Sequence, residues 1–307
     1  MLKKLAALMC ILLLPSLAFA ETGTATFKNA SFPLDSEYID MGKTGVTPQN
    51  MKDFMAFLKK FPNLKKVDMF EIAMGKQRIE QLTSAFPDIE FGMTMVVGGE
   101  HKLRTDATAF STLHGPNNPM HSNADFSVLK YCKNLYALDL GHNLISDLSF
   151  LYDLPKLRVL ILAKNKLTDI TPIASLHDLE YLELLRNDVA DISPLAGLTH
   201  LVDLNITSNR ISDLSPLRNL TNLRRLWVKK CHKYDDMQAV IRTQFQELRE
   251  ALPDTFIDDT HRGTDGAWRT VGTHYKTIKR MFASGQYEPF DDVHFDDYAY
   301  EFAPNGR

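Results

Sequence analysis

The hydrophobic positions of this chain repeat with a period far longer than a helix or a strand. Leu135, Leu157, Leu179, Leu201 and Leu223 are spaced 22 residues apart. Three residues after each comes another apolar column: Leu138, Leu160, Leu182, Leu204 and Leu226. A third column follows: Leu140, Leu162, Leu184, Ile206 and Val228. Asn143, Asn165, Asn187 and Asn209 close four of these units, and Cys231 stands where a fifth asparagine would fall. Within each unit the apolar–x–apolar pair alternates, which predicts a short strand with one buried face. No single unit can bury its own leucines, so successive units must stack, and their strands then form a parallel sheet. The asparagine amide offers two donors and an acceptor, which suits a structural ladder bonding backbone groups where the chain bends. Each asparagine is followed by an aspartate column: Asp147, Asp169, Asp191 and Asp213. Next come Thr171-Pro172, Ser193-Pro194 and Ser215-Pro216. Ser or Thr as N-cap with Pro in the first turn predicts brief 3-10 turns opposite the sheet.

The flanks depart from this regularity. "EYIDM" (37–41), "LKKVDMF" (64–70) and "IEFGMTM" (89–95) read as strands of longer units. Thr47-Pro48 opens a helix carrying Met51, Phe54, Met55 and Leu58 on one face, and Gln77–Phe86 reads as another. Residues 97–130, rich in Gly, Pro, Asn and His, read as an insertion or loop. Past Cys231, Asp235 and Asp236 open a helix, "DTFIDD" (254–259) reads as one more strand, and "THYKTIKRMF" (273–282) as a closing helix. The organisation expected is a leader at 1–20, an N-terminal cap with irregular units at 21–130, and regular repeats at 131–231. A C-terminal cap at 232–283 and an acidic tail at 284–307 complete it.

The spacing L-x-x-L-x-L-x-x-N-x-I/L is that of the leucine-rich repeat, and the 22-residue unit resembles the internalin-type bacterial repeat. More widely, "LRTDATAFSTL" (103–113), "FSVLKYCKNLYALDLGHN" (126–143) and "LREALPD" (248–254) resemble exported repeat proteins of gut Firmicutes. The fold class expected is α/β: one curved, right-handed solenoid. A parallel sheet lines its concave face, helices and 3-10 turns its convex face, and helical caps its ends. The resemblance implies an extracellular binding role rather than a reaction.

Residues 1–20, MLKKLAALMCILLLPSLAFA, have a basic start, an apolar run and a small-x-small end at Ala18-Phe19-Ala20. This predicts a secretory signal cleaved near Ala20 and an exported product. The formal net charge is −3 and becomes more negative once Lys3 and Lys4 leave, which argues against nucleic-acid binding. No later apolar run is long enough to insert in a membrane. Cys132 and Cys231 remain, four repeats apart, and both are expected to stay reduced.

Sites of chemistry are sparse. "MGKTG" (41–45) has Glu37 where a phosphate-binding loop needs Gly. His101, His114, His121 and His142 fit no metal-ligand spacing and read as scattered surface histidines. "DDVHFDD" (291–297) reads as a solvated acidic tail. No catalytic motif occurs, and no enzyme activity, metal or cofactor is expected. The concave face offers the candidate site: Tyr181, Glu183 and Leu185 at mid-array, Asp203 and Asn205 beside them, and Arg225, Trp227 and Lys229 at a basic end. Trp, Tyr and Arg dominate interface energetics, so this face is read as binding a protein or glycan ligand. The alternatives are a structural or envelope scaffold without a specific ligand, and a C-terminal segment that folds over Trp227 as cap core.

Overall fold

The computed structural model describes residues 23–113, 120–229, 238–258 and 273–290. The leader, His114, Cys231, Asp235, Asp236, Trp268 and the acidic stretch 291–297 lie outside the described residues.

The described residues open with an antiparallel hairpin that the sequence patterns did not reveal, β1 (Thr24–Phe27) and β2 (Ala30–Pro33). Phe27 packs against Phe54 and Phe57, with ring centroids 5.1 and 5.6 Å apart. Both of those phenylalanines belong to helix α1 (Met51–Leu58). A four-stranded sheet follows, in the order β3 (Tyr38–Asp40), β4 (Lys66–Met74), β5 (Glu90–Val97), β6 (His101–Arg104). Helix α2 (Lys76–Ala85) connects β4 to β5. The first three strands are parallel, while β5 and β6 form an antiparallel hairpin.

The described residues of the stretch 97–130, expected as an insertion or loop, include regular elements. They hold β6, then β7 (Ala109–Ser111) and the short helix α3 (Asn123–Phe126). Strand β7 pairs in parallel with β8 (Ala137–Asp139) and so begins the main sheet upstream of the regular repeats. The sheet continues through β9 (Val159–Ile161), β10 (Tyr181–Glu183), β11 (Asp203–Asn205) and β12 (Arg225–Trp227). It ends at β13 (Phe256–Asp258), after helix α4 (Gln238–Ala251). All seven strands are parallel and in sequence order. Registers pair Leu138, Leu160, Leu182, Leu204 and Leu226 across the sheet. This is the α/β leucine-rich repeat solenoid that the 22-residue period predicts.

Each asparagine serves two units. The Asn187 Nδ2 donates to Leu184 O (2.9 Å) in its own unit and to Leu162 O (3.0 Å) in the preceding one. Its Oδ1 accepts from Leu167 N at 3.1 Å. Asn165 and Asn209 repeat the pattern. The residue before each asparagine takes a left-handed conformation, with φ of 62° at His142 and 56–58° at Lys164, Arg186 and Ser208. On the convex side, 3-10 turns occur at Ser149–Asp153, Thr171–Ser175, Ser193–Leu195 and Ser215–Leu217. Their caps differ from the expectation: the aspartate column caps them, not Ser or Thr. Asp147, Asp169, Asp191 and Asp213 each accept from the backbone N–H two residues on, at 2.8 Å. A carboxylate two residues upstream reaches that amide, and a Ser or Thr hydroxyl at the turn does not.

The leucine columns, the hairpin and α1 share one core inside the solenoid. A second core lies on the other face of the sheet. There Ala137, Val159, Ile161, Tyr181, Leu185 and Trp227 meet Ile278 and Met281 of helix α5 (Thr273–Ser284). The closing helix does not stack on the end of the array. It lies across the concave face, and the chain after it returns to β7, the edge strand of the main sheet, where Ala109 N donates to Gly285 O at 3.2 Å.

Candidate functional site

The eight residues read as a concave binding face do share one surface of the sheet. Seven of them are not exposed to solvent. Tyr181, Glu183, Asp203 and Asn205 are 0% exposed, Arg225 2%, Leu185 4% and Trp227 6%. Lys229 is partly exposed. Helix α5 supplies part of the cover: the spacing of His274, Ile278 and Met281 puts one stripe toward the sheet while Lys276, Lys279 and Arg280 stay in water. The following residues extend the cover. Tyr287 stacks on Tyr136 with centroids 5.2 Å apart, and Phe290 lies 4.5 Å from the His274 ring and 6.4 Å from Tyr181.

Under this cover Asp203, Tyr181 and Glu183 have polar partners, while Asn205 Nδ2 has none among the described residues. Asp203 receives Arg225 in a forked contact, Nε to Oδ1 at 3.1 Å and Nη2 to Oδ2 at 3.2 Å. His274 of α5 adds Nδ1 to Oδ2 at 2.7 Å. Burial alone would raise the Asp203 carboxyl, but the Arg225 guanidinium and His274 outweigh it and hold the group below the ordinary carboxylate range. Tyr181 donates its hydroxyl to Glu183. Burial, reinforced by the Glu183 charge, pushes that phenol well above its usual value, so Tyr181 stays protonated. The helical period of 273–282 announced an apolar stripe. It carried no sign that His274 would be the hydrogen-bond partner of a residue 71 positions earlier.

Two of the four histidines read as scattered on the surface are in fact buried and in contact. His101 is 9% exposed and His121 4%, and their Nε2 atoms lie 3.1 Å apart. Glu100 Oε1 sits 3.2 Å from the first and 3.5 Å from the second. Spacing along the chain concealed this cluster, because a hairpin end supplies Glu100 and His101 while the entry to the first regular unit supplies His121. His142 is exposed.

Comparison with known proteins gives one family match, to a model described as leucine-rich repeats (2 copies), over residues 155–197 and 179–219. The search of curated proteins returns no match. Among solved structures the chain is similar to internalin C2 of Listeria monocytogenes. The identity is 23%, covering 76% of this chain and 87% of that one, with a TM-score of 0.40. It is similar to internalin InlF of the same organism at 21% identity, 68% and 71% coverage and TM-score 0.41. It is also similar to a leucine-rich repeat protein of Leptospira interrogans at 20% identity, 66% and 50% coverage and TM-score 0.41. The matched stretch coincides with the stacked strands and asparagine ladder of the solenoid, and residues 155–219 are leucine-rich repeats.

Proposed function

We propose that this chain is an exported protein-recognition module whose recognition face is the concave side of the solenoid, with α5 lodged there as an intramolecular ligand. The observation that carries this reading is the buried Asp203–Arg225–His274 contact. The solenoid's own stacking is completed on the opposite face by leucines and asparagines. Buried ion pairs add little net stability over apolar packing but specify register, which is what a recognition face requires. The occupant is an amphipathic helix followed by two aromatic residues, so a helix-in-groove mode, reading a protein rather than a glycan, fits the face best. Export is supported by the basic, apolar and small-x-small order of residues 1–20. No helix among the described residues is long and apolar enough to cross a membrane.

The test uses a fluorescent peptide of residues 273–290 and a full chain carrying Ile278→Asp and Met281→Asp, which should undock α5. The peptide should bind this variant and not the unsubstituted chain, whose own helix competes at an effective concentration on the order of millimolar. Two results would overturn the proposal. One is loss of cooperative repeat unfolding in the variant, which makes the face core. The other is a folded variant with accessible Trp227 that ignores the peptide.

A further inference from the structure

We propose that Glu100, His101 and His121 form a binding site for a divalent first-row metal ion, zinc by preference, that clips the N-terminal sheet to the first regular repeat. The site lies apart from the concave face and does not depend on how that face is read.

The three ligand atoms lie close enough together to share one ion. Tetrahedral zinc holds nitrogen and oxygen at about 2.0–2.2 Å, which sets ligand atoms about 3.3–3.5 Å from one another. Here the three separations are 3.1, 3.2 and 3.5 Å. Two imidazoles and one carboxylate form a borderline donor set that suits zinc and its neighbours, whereas calcium and magnesium favour all-oxygen shells. The triangle supplies three of four tetrahedral positions.

The surroundings hold these atoms in place. The hairpin between β5 and β6 turns through Gly98 and Gly99, with φ of 59° and 83°, and delivers Glu100 and His101 together. A Cβ at Gly98 would lie 2.2 Å from both Cε1 and Nδ1 of His121, so only glycine lets that ring sit there. The His121 backbone is pinned on both sides. Its N–H donates to Asn143 Oδ1 at 2.8 Å, and its carbonyl accepts from Leu144 N at 2.9 Å. Phe110 meets the His101 ring edge-on and Phe126 the His121 ring, with centroids 6.3 and 6.0 Å apart. A cavity of about 580 Å³ lined in part by Glu100 and His101 gives an ion a path in. The competing account of the contact is an N–H···N bond between neutral imidazoles with a carboxylate beside it.

The full chain, stripped with chelator and then dialysed against zinc alone, should retain one equivalent by elemental analysis. Its thermal midpoint should rise by ~5–10 °C when zinc exceeds its dissociation constant about 100-fold. Glu100→Gln, on a half-exposed side chain, and His101→Ala should each weaken binding by at least ~10–100-fold, the loss seen even when an outer partner of a metal ligand is removed. Cobalt(II) in the same site should give visible d–d absorption that both substitutions abolish. His200→Ala, at an exposed histidine, should change nothing. Failure of the full chain to take up zinc stoichiometrically overturns the proposal in favour of the histidine hydrogen bond. Uptake that survives both substitutions, or that His200→Ala reduces equally, overturns it as adventitious surface binding.

Discussion

At Asn187 a single amide bonds backbone groups of two successive repeats inside a buried turn. Truncation to Ala strands those groups, so Asn187→Ala should cost ~1–3 kcal/mol. Lys166→Ala, on an exposed side chain, should cost little. Urea midpoints compare the two, and coincident values would refute the ladder. Asp203 makes a second kind of demand. With its carboxyl depressed in the folded state, its stabilising contribution is fully present above the unfolded carboxyl value near pH ~4. It is lost as pH falls through the lower folded value. Asp203→Asn should therefore lower stability at neutral pH by ~3–5 kcal/mol, since it breaks a buried ion pair from one side. The same change should flatten the acid limb of the stability profile. Denaturation midpoints measured from pH 2 to 7 check both expectations.

Among the elements, α5 has the most consequence, because one amphipathic helix converts an open sheet face into a second core. Trp227 reports its docking. On a Trp268→Phe background, emission should be blue-shifted and acrylamide quenching weak in the intact chain. Ile278→Asp should shift emission to the red and restore quenching, since a carboxylate placed inside the second core opposes docking. A Trp227 signal that ignores Ile278→Asp would mean that some other element covers it. The convex turns are more local. Asp169 is held below the usual carboxylate range by the Thr171 hydroxyl and backbone N–H, and Asp213 by the Ser215 backbone N–H and hydroxyl. Both contributions are present above the unfolded carboxyl value and fade as pH falls.

At the scale of the whole molecule, Cys132 is a probe of global opening. It is fully buried, with Sγ 3.8 Å from Arg104 O where the irregular N-terminal part meets the array. Burial pushes its thiol far up, so the thiolate that alkylating agents need is suppressed twice, by access and by proton affinity. In a Cys231→Ser background, Cys132 should be alkylated at a rate that tracks cooperative unfolding in urea. Rapid labelling under native conditions would show that the junction between the two sheets opens by itself.

The repeats were legible because a solenoid's contacts are periodic in sequence: Leu160 packs on Leu138 and Leu182, one unit away on either side, so the packing leaves a 22-residue imprint. The 3-10 turns after Thr171 and Ser193 were legible for the same reason. The aspartate column was visible, though its role as the cap emerged only from the hydrogen bonds. Short elements without that period, such as the β1–β2 hairpin and strands β6 and β7, left no such imprint. An alternation of three or four residues in a stretch rich in Gly and His does not distinguish a strand from a loop. The concave columns were assigned to the right surface and to the wrong solvent exposure. Helical spacing in 273–282 shows that an apolar stripe must be buried but not against what. That is decided by shape and charge complementarity with a sheet assembled from residues 109 to 258. His101 and His121 follow the same rule, since their convergence needs a glycine hairpin and an asparagine from the first repeat. Period and burial pattern are local properties of a sequence. Docking of α5 and the meeting of Glu100, His101 and His121 are contacts between segments with no shared period, and only the folded chain brings them together.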